Sequence, residues 1–504
     1  MTCIIAHSTI IIKLSKNKSL FVGRKVELNR LDSIYKTPTP SLVVIKGRRR
    51  IGKSRLIHWF ASKQNPHAFW HFSGLAPHGT MDAQSQRDNF AYQLAGHLNL
   101  PRVTFTDWSD AVVYLGQHLK PNDIVLFDEI SWMGDKDPSF IPKLKAWWDT
   151  QTQSIMAFFC GSVSVWIEDN ILNSTAFFGR VNLVITLESL SIADAYRLLT
   201  AYGFQGSDYD AYKLLSIVGG VPWYLEQIVP GQSADAFIKH LCFEKDGILV
   251  TEFDRIFHDL FNGKSSVYKK ILHCLSDGMK SLAAIRTALE YPHSGTLSLI
   301  MNHLIVAGFV EKQQLWSFKT HKPLKQSLYR IADPYMRFYL KVICLHRHKI
   351  DAHAFRDSAI SSLPGFDAHI GLQLEQLLLQ NRDRLLDAIG ISPADTVACG
   401  PFRQVQTKTR SGCQIDFLVQ TKTNTLFICE FKFKRREIAT DSIEQMTYKL
   451  NALDAPKGVA KVPVLFHISG VSDALAVAGY FYRIIDITDF LNANPHSAQM
   501  RKKF

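Results

Sequence analysis

The stretch Gly47-Arg48-Arg49-Arg50-Ile51-Gly52-Lys53-Ser54 constrains this chain more than any other. It follows the apolar run Leu42-Val43-Val44-Ile45 and precedes the helix-forming segment SRLIHWFASK. A strand, a glycine-bearing loop and a helix in that order turn backbone N–H groups and the positive end of a helix towards phosphate oxygens. Glycine is needed because the loop must adopt backbone angles closed to other residues. Residues 47–54, with Arg55 beside them, are therefore candidate nucleotide-binding residues. Lys53 is expected at the β- and γ-phosphates and the Ser54 hydroxyl on Mg²⁺, so ATP and Mg²⁺ are the implied cofactors.

A loop of this kind needs a second magnesium partner, and IVLFDEI supplies one. Asp128 ends a strand of apolar residues, which carries its carboxylate to the edge of the sheet where phosphates bind. Glu129, next in sequence, is the candidate general base for the attacking water. Around these motifs, SLVVIKG (41–47), AFWHFSG (68–74), DIVLFDE (123–129) and SIMAFFCGS (154–162) read as fully buried strands. Helix-length segments at 53–63, 84–98 and 109–119 separate them. Continuous apolar strands alternating with helices predict an α/β fold with a parallel sheet.

The motifs FVGRKVELNRL, GRRRIGKS, LFDEI, FFCGS, FFGRVNLV and GGVPWYL occur in one order over about 21–232. In that order they resemble the archaeal-type ATPases, AAA+ proteins akin to the STAND class. The resemblance implies that Gly23 and Arg24 lie by the adenine and ribose. It also implies that Ser162 is a sensor near the γ-phosphate and that Pro222 touches the nucleotide from a helical lid. Arg180 would be an arginine finger, acting in trans in a homo-oligomer. Taken alone, an arginine at that place is more often a surface ion-pair residue.

From about residue 188 the pattern is helical, and the domain plan runs as follows. An extension (1–20) leads to an ATPase core (21–187) and a helical lid (188–262). Three amphipathic helices over 263–335, with short strands expected near FVEKQQ and LWSFKT, predict a winged helix. Its third helix is mostly apolar, so packing within the chain and reading a DNA groove stay equally open. A long helix near 333–350 is expected to bridge (336–365) into a last unit at 366–504.

That unit holds two alternating runs, QIDFLVQ and LFICEFKF, joined by TKTNT. Pairing Gln420 with Leu426 across the turn sets Asp416 opposite Glu430, with Lys432 on the same face. Like charges directly opposite repel, so two carboxylates there ask for a cation such as Mg²⁺. A neighbouring lysine could steady developing phosphorane charge. The set Asp416, Glu430 and Lys432, after a helix bearing Glu375, resembles the PD-(D/E)XK nuclease fold. The resemblance implies metal ligands at Asp416, Glu430 and Glu375 and a catalytic Lys432. Ile415 stands where the name-giving motif has proline, and some members of the group have lost activity.

The charge balance leans the same way, with 58 Lys and Arg against 45 Asp and Glu giving a net of +13. Residues 401–440 carry eight basic and three acidic side chains, a surface a phosphate backbone would favour, which makes DNA the expected partner. Hydrophobic residues make up 46% of the 504, which excludes wholesale disorder. The eight cysteines show no C-x-x-C pair, which argues for a reducing, cytoplasmic setting. No basic, cleavable leader and no run of apolar residues long enough to span a bilayer is seen. The expected function is ATP hydrolysis coupled to a Mg²⁺-dependent nuclease-like unit. The alternative is a nucleotide-dependent switch or scaffold that binds nucleic acid or protein without cutting.

Overall fold

A computed structural model describes residues 20–492, apart from 65, 77–80, 163, 262–264, 293–294, 357 and 409. The N-terminal extension before residue 20 and the last residues of the C-terminal unit lie outside the described residues. The chain divides into two compact units. The first runs up to Lys46 and takes in Gly52–Gly161 and Trp166–Leu187. The second holds Gly47–Ile51, Ser162–Val165 and everything from Glu188.

The first unit is built on five parallel strands, β1 (Ser41–Lys46), β2 (Phe69–Ser73), β3 (Ile124–Asp128), β4 (Met156–Gly161) and β5 (Val181–Thr186). Their order is β2-β3-β4-β1-β5, so β4 lies between the strand feeding the glycine loop and the strand ending in Asp128. β3 and β4 are buried along their whole length, as strands covered on both faces must be. On one face Leu42, Val44, Phe127 and Phe159 join a core with Trp108 and Phe140. On the other, Phe158 meets Phe60 of helix Lys53–Gln64 edge to face at 6.1 Å. Each such aromatic contributes roughly 1.5–3 kcal/mol by burial. Helices start where short acidic side chains cap them: Asp82 accepts from Ser85 N and Asp107 from Ser109 N. β5 is missing from the expected strands because it is half-exposed and its apolar run is broken by Asn182 and closed by Thr186.

The second unit opens with helices, among them Ile192–Ala201, Asp208–Val218 and Ile248–Phe261. Gly220 lets two of its segments meet, since a Cβ there would stand 2.1 Å from the Leu190 carbonyl oxygen. Helices Ser265–Ser276, Leu282–Ala288 and Thr296–Val306 follow, with an antiparallel sheet of β6 (Lys280–Ser281), β7 (Val310–Trp316) and β8 (Pro323–Ile331) in the order β6-β8-β7. LWSFKT is not a separate strand: Leu315 and Trp316 end β7, a turn follows in which Ser317 N donates to the Lys322 carbonyl, and β8 starts after it. The expected long helix near 333–350 is a series of short segments, Pro334–Phe338, Tyr339–Ile343, Cys344–His346 and Arg347–Asp351, wound at changing pitch.

The last part pairs helices Phe366–Gln380 and Arg382–Ile389 with a five-stranded sheet. Its strands are β9 (Thr396–Gln404), β10 (Cys413–Thr421), β11 (Thr425–Lys432), β12 (Ala460–His467) and β13 (Arg483–Asp486), in the order β13-β12-β11-β10-β9. β9, β10 and β11 run antiparallel; β12 returns parallel to β11 after helix Asp441–Ala452. In the β10–β11 hairpin Gln420 faces Leu426 and Phe417 faces Cys429, the register the turn length predicts.

Candidate functional site

The glycine loop connects β1 to helix Lys53–Gln64, and its conformation explains its composition. Gly47 and Gly52 sit at φ 146° and 92°, in the region glycine favours, and Arg50 is held at φ 69°. Lys53 and Ile51 are buried. In the first unit the Ser54 hydroxyl donates to Asp128 Oδ2 at 2.7 Å, so the two magnesium candidates already share a hydrogen bond. Burial works against charge on Asp128, but the neighbouring His71, the Ser54 hydroxyl and the Cys160 thiol together hold its pKa below the ordinary carboxylate value. Cys160 is fully buried, which raises its pKa far above the usual thiol range and keeps it a donor. Glu129 follows at φ 48°, a strained backbone for a non-glycine residue that turns the chain sharply off the sheet. His71 lies 3.6 Å from Asp128 Oδ2; β2 had been read as core, although His71 is one of its half-exposed positions.

Gly23 and Arg24, both at positive φ, lead into helix Lys25–Tyr35, and the Arg24 guanidinium lies 3.6 Å from Glu27. Arg55 donates to the Leu20 carbonyl at 2.5 Å. Arg180 forks onto Asp149, its Nε and a terminal nitrogen bonding the two carboxylate oxygens at 2.5 and 3.2 Å. With Lys145 beside it, that fork holds Asp149 to about 2.

In the second unit the loop arginines have acidic partners that the motif alone does not announce. Arg48 pairs with Asp333, which is 2% exposed and caps helix Pro334–Phe338 by accepting from Met336 N. Arg50 pairs with the buried Glu252 at 2.8 Å and lies 3.5 Å over the Trp223 ring. Tyr224 reaches Glu252 at 3.3 Å and Arg48 at 3.5 Å. Trp223 and Tyr224 follow Pro222, the first residue of helix Pro222–Leu225. Burial raises the Glu252 pKa and lowers that of Arg50, with each partner opposing the other's shift. Ser162 follows β4 directly and is buried.

The acidic hairpin is assembled differently. Asp416 Oδ2 accepts from Phe431 N at 2.9 Å. Glu430 carries two lysines, Lys432 at 2.9 Å and Lys449 of helix Asp441–Ala452. Lys432 also donates to Gln445 at 2.7 Å, one turn before Lys449 on that helix. Burial, then the charge of Glu430, pushes Asp416 up to about 7. Glu375, on helix Phe366–Gln380, is also raised by burial, with Arg337 and Arg330 working the other way. Among the described residues no three His, Cys, Asp or Glu side chains converge as a metal-holding group. Lysines occupy the Glu430 oxygens instead. Lys449 was missed; its i, i+4 spacing from Gln445 after the Glu-x-Lys strand was the available signal.

Comparison with known proteins agrees with the loop. Residues 21–228 match an ATPase domain found predominantly in Archaea. This part of the chain is similar to an archaeal-type ATPase domain and carries its glycine loop after a strand of a parallel sheet. An uncharacterized protein of Methanocaldococcus jannaschii is 22% identical over 370 residues, 71% of this chain and 76% of the relative. A Walker-type ATPase of Pyrococcus abyssi covers 64% of the chain and 96% of its own length at 14% identity and a TM-score of 0.46. The ORC2 protein of Aeropyrum pernix covers 67% and 97% at 12% identity and a TM-score of 0.39. Among the described residues no helix is long and apolar enough to cross a membrane.

Proposed function

We propose that the protein binds and hydrolyses Mg²⁺-ATP as an AAA+/STAND-type switch, and that nucleotide state governs a nuclease-like C-terminal unit acting on DNA. The observation that carries the first half is the Ser54 hydroxyl on the Asp128 carboxylate at 2.7 Å, at the sheet edge beside the loop. A hydroxyl and an ionised carboxylate are oxygen donors suited to Mg²⁺, which, when bound, neutralises charge on the β- and γ-phosphates. Lys53 meets the same phosphates, loop N–H groups hold them, and Glu129 takes the proton of the attacking water. Gly23, Arg24 and Pro222 frame the base and sugar, and Ser162 senses the γ-phosphate.

Arg180 acts from a neighbouring subunit, leaving Asp149 to reach that subunit's phosphates. Its test is mixing: Arg180→Ala and Lys53→Ala proteins, each inactive alone, should regain hydrolysis together through the intact half-sites that form between them. Rates that do not depend on concentration or mixing would return Arg180 to a structural ion pair.

For the C-terminal unit, the three helices and the β6-β8-β7 sheet support a winged helix. The hairpin register supports Asp416 and Glu430 as paired ligands, with Glu375 beside them and Lys432 as the catalytic lysine. The full-length chain, given Mg²⁺ or Mn²⁺, ATP and plasmid DNA, should cut, and Lys432→Ala should not. A second reading, a scaffold that binds DNA without cleaving it, is favoured by the two lysines already on Glu430. It predicts DNA binding that weakens steeply with salt and no cutting under any metal.

A further inference from the structure

The second unit holds a cavity of about 370 Å³ whose wall includes Glu375. Its wall joins the end of β8, helix Pro334–Phe338 with the turn after it, helix Phe366–Gln380 and the β9–β10 edge. Four cationic side chains line it, Arg330, Arg337, Lys341 and Arg403, against two acids, Asp277 and Glu375. Internal pairing leaves much of that positive charge unspent. Lys341 takes Asp277 at 2.7 Å. Arg330 gives its terminal nitrogens to Gln376 and Glu311 at 2.5 and 2.6 Å, yet its buried Nε has no partner among the described residues. Arg337 donates to the Leu372 carbonyl at 2.9 Å, a neutral partner. Arg403 is exposed and sits on β9 across from Gln414. His369, also in the wall, has its pKa lowered by burial and then by Lys341 and Arg337, which keeps the imidazole neutral and reports the positive field.

Two guanidinium forks with donors to spare suit a tetrahedral oxyanion, because the planar fork meets two of its oxygens at once. Met279, Phe338, Leu372 and Pro401 give the same cavity apolar walls, which a bare inorganic ion would leave unused. The volume lies at the small end of ligand pockets, about 300–1,000 Å³. We propose that this cavity binds an organic phosphate of mononucleotide size, its phosphate on Arg337 and Arg403 and its body against the apolar wall. Two sources share that chemistry, a free mononucleotide and the 5′-phosphorylated end of an oligonucleotide. The proposal stands apart from the ATPase reading, for it uses no residue of the phosphate loop.

Calorimetric titration of the full-length chain, with the phosphate loop first saturated by Mg²⁺-ADP, tests it. The probes are AMP, adenosine, inorganic phosphate and a trinucleotide with and without a 5′-phosphate. Saturable binding of AMP, with adenosine and inorganic phosphate each much weaker, is expected. Arg337→Met and Arg403→Met should each weaken AMP by about tenfold, the loss of one charged hydrogen-bonding fork. Affinity for ADP in both variants should stay at the wild-type value, which shows the fold intact. A 5′-phosphorylated trinucleotide that outcompetes AMP would assign the site to a nucleic-acid end; AMP ahead of it would assign a free nucleotide. Binding of no probe, or AMP binding untouched in both variants, would leave a solvent-filled void only and overturn the proposal.

Discussion

The phosphate loop and the acidic hairpin each carry a surplus of one charge, and each is neutralised by the chain's own side chains of the other sign. At the loop, Arg48 and Arg50 rest on Asp333 and Glu252. At the hairpin, Glu430 rests on Lys432 and Lys449. The loop's stand-ins are anions where a polyphosphate would bring its own, and the hairpin's stand-ins are cations where a metal would bring its own. The carboxylates differ as well. Asp128 has its pKa lowered by His71, Ser54 and Cys160 around it, whereas Asp416 is pushed up to about 7. On the proposed function, the first centre takes a divalent cation as it stands, and the second must first give up a lysine or a proton.

The sharpest break of that contrast is at the loop. Glu129→Gln should slow ATP hydrolysis by about 10²–10⁴-fold while ATP stays bound, since only water activation is lost. Lys53→Ala should cost about 10²–10³-fold and weaken binding too, because a fixed positive charge leaves the phosphates. Equilibrium binding and single-turnover rates separate the two. Wild-type hydrolysis in Glu129→Gln would move the base elsewhere.

Next comes the lysine at the hairpin. Lys449→Met leaves Glu430 facing Asp416 with Lys432 as its remaining partner, a broken, largely buried pair worth about 3 kcal/mol. Thermal unfolding should show that loss without metal, and millimolar Mn²⁺ should restore most of it. A variant as stable as wild type, or one that Mn²⁺ does not rescue, would mean that Lys449 does not stand in for a cation.

A smaller effect is expected at the loop's own stand-in. Asp333→Asn keeps a helix-capping oxygen but removes the charge that holds Arg48. Freed of that competitor, the loop should bind ATP roughly tenfold more tightly, the scale of one charged hydrogen bond. Weaker binding would show that Asp333 positions Arg48 instead of competing for it.

The two centres were unequally legible in the sequence. Spacing alone singled out Ser54, Lys53 and Asp128 as candidates, because strand, loop and helix leave a local pattern, and Ser54 and Asp128 share a hydrogen bond. The hairpin register was legible too, since a short turn fixes which residues face each other. The partners were not: Asp333, Glu252 and Lys449 reach their targets through tertiary packing, and no local periodicity encodes which distant acid an arginine will meet. Strands were lost for a different reason. β9 contains Gly400-Pro401 and β12 contains Pro463, residues that lower a strand's signal even where its neighbours pair.

The smallest effect is the one that tests the contrast in protonation. A carboxylate whose folded pKa is depressed adds stability that is present above its unfolded value, about 4, and is lost as pH falls through the folded one. Asp128 is of that kind, so across pH 4–7 its contribution is flat. Asp416 is the reverse. With a folded value of about 7 it binds its proton more tightly in the native state, so its contribution falls as pH rises from about 4 to 7. Melting midpoints of wild type and Asp416→Asn should therefore separate steadily over that window, the variant gaining on wild type, and run parallel above it. Asp128→Asn should stay parallel to wild type across the same window and approach it only at lower pH. Saturating Mn²⁺ on wild type should flatten the Asp416 slope, because a bound cation favours the carboxylate over the acid. If the Asp416→Asn curve ran parallel to wild type from pH 4 to 7, the hairpin carboxylate would already be ionised, and the two centres would differ only in which side chains cover them.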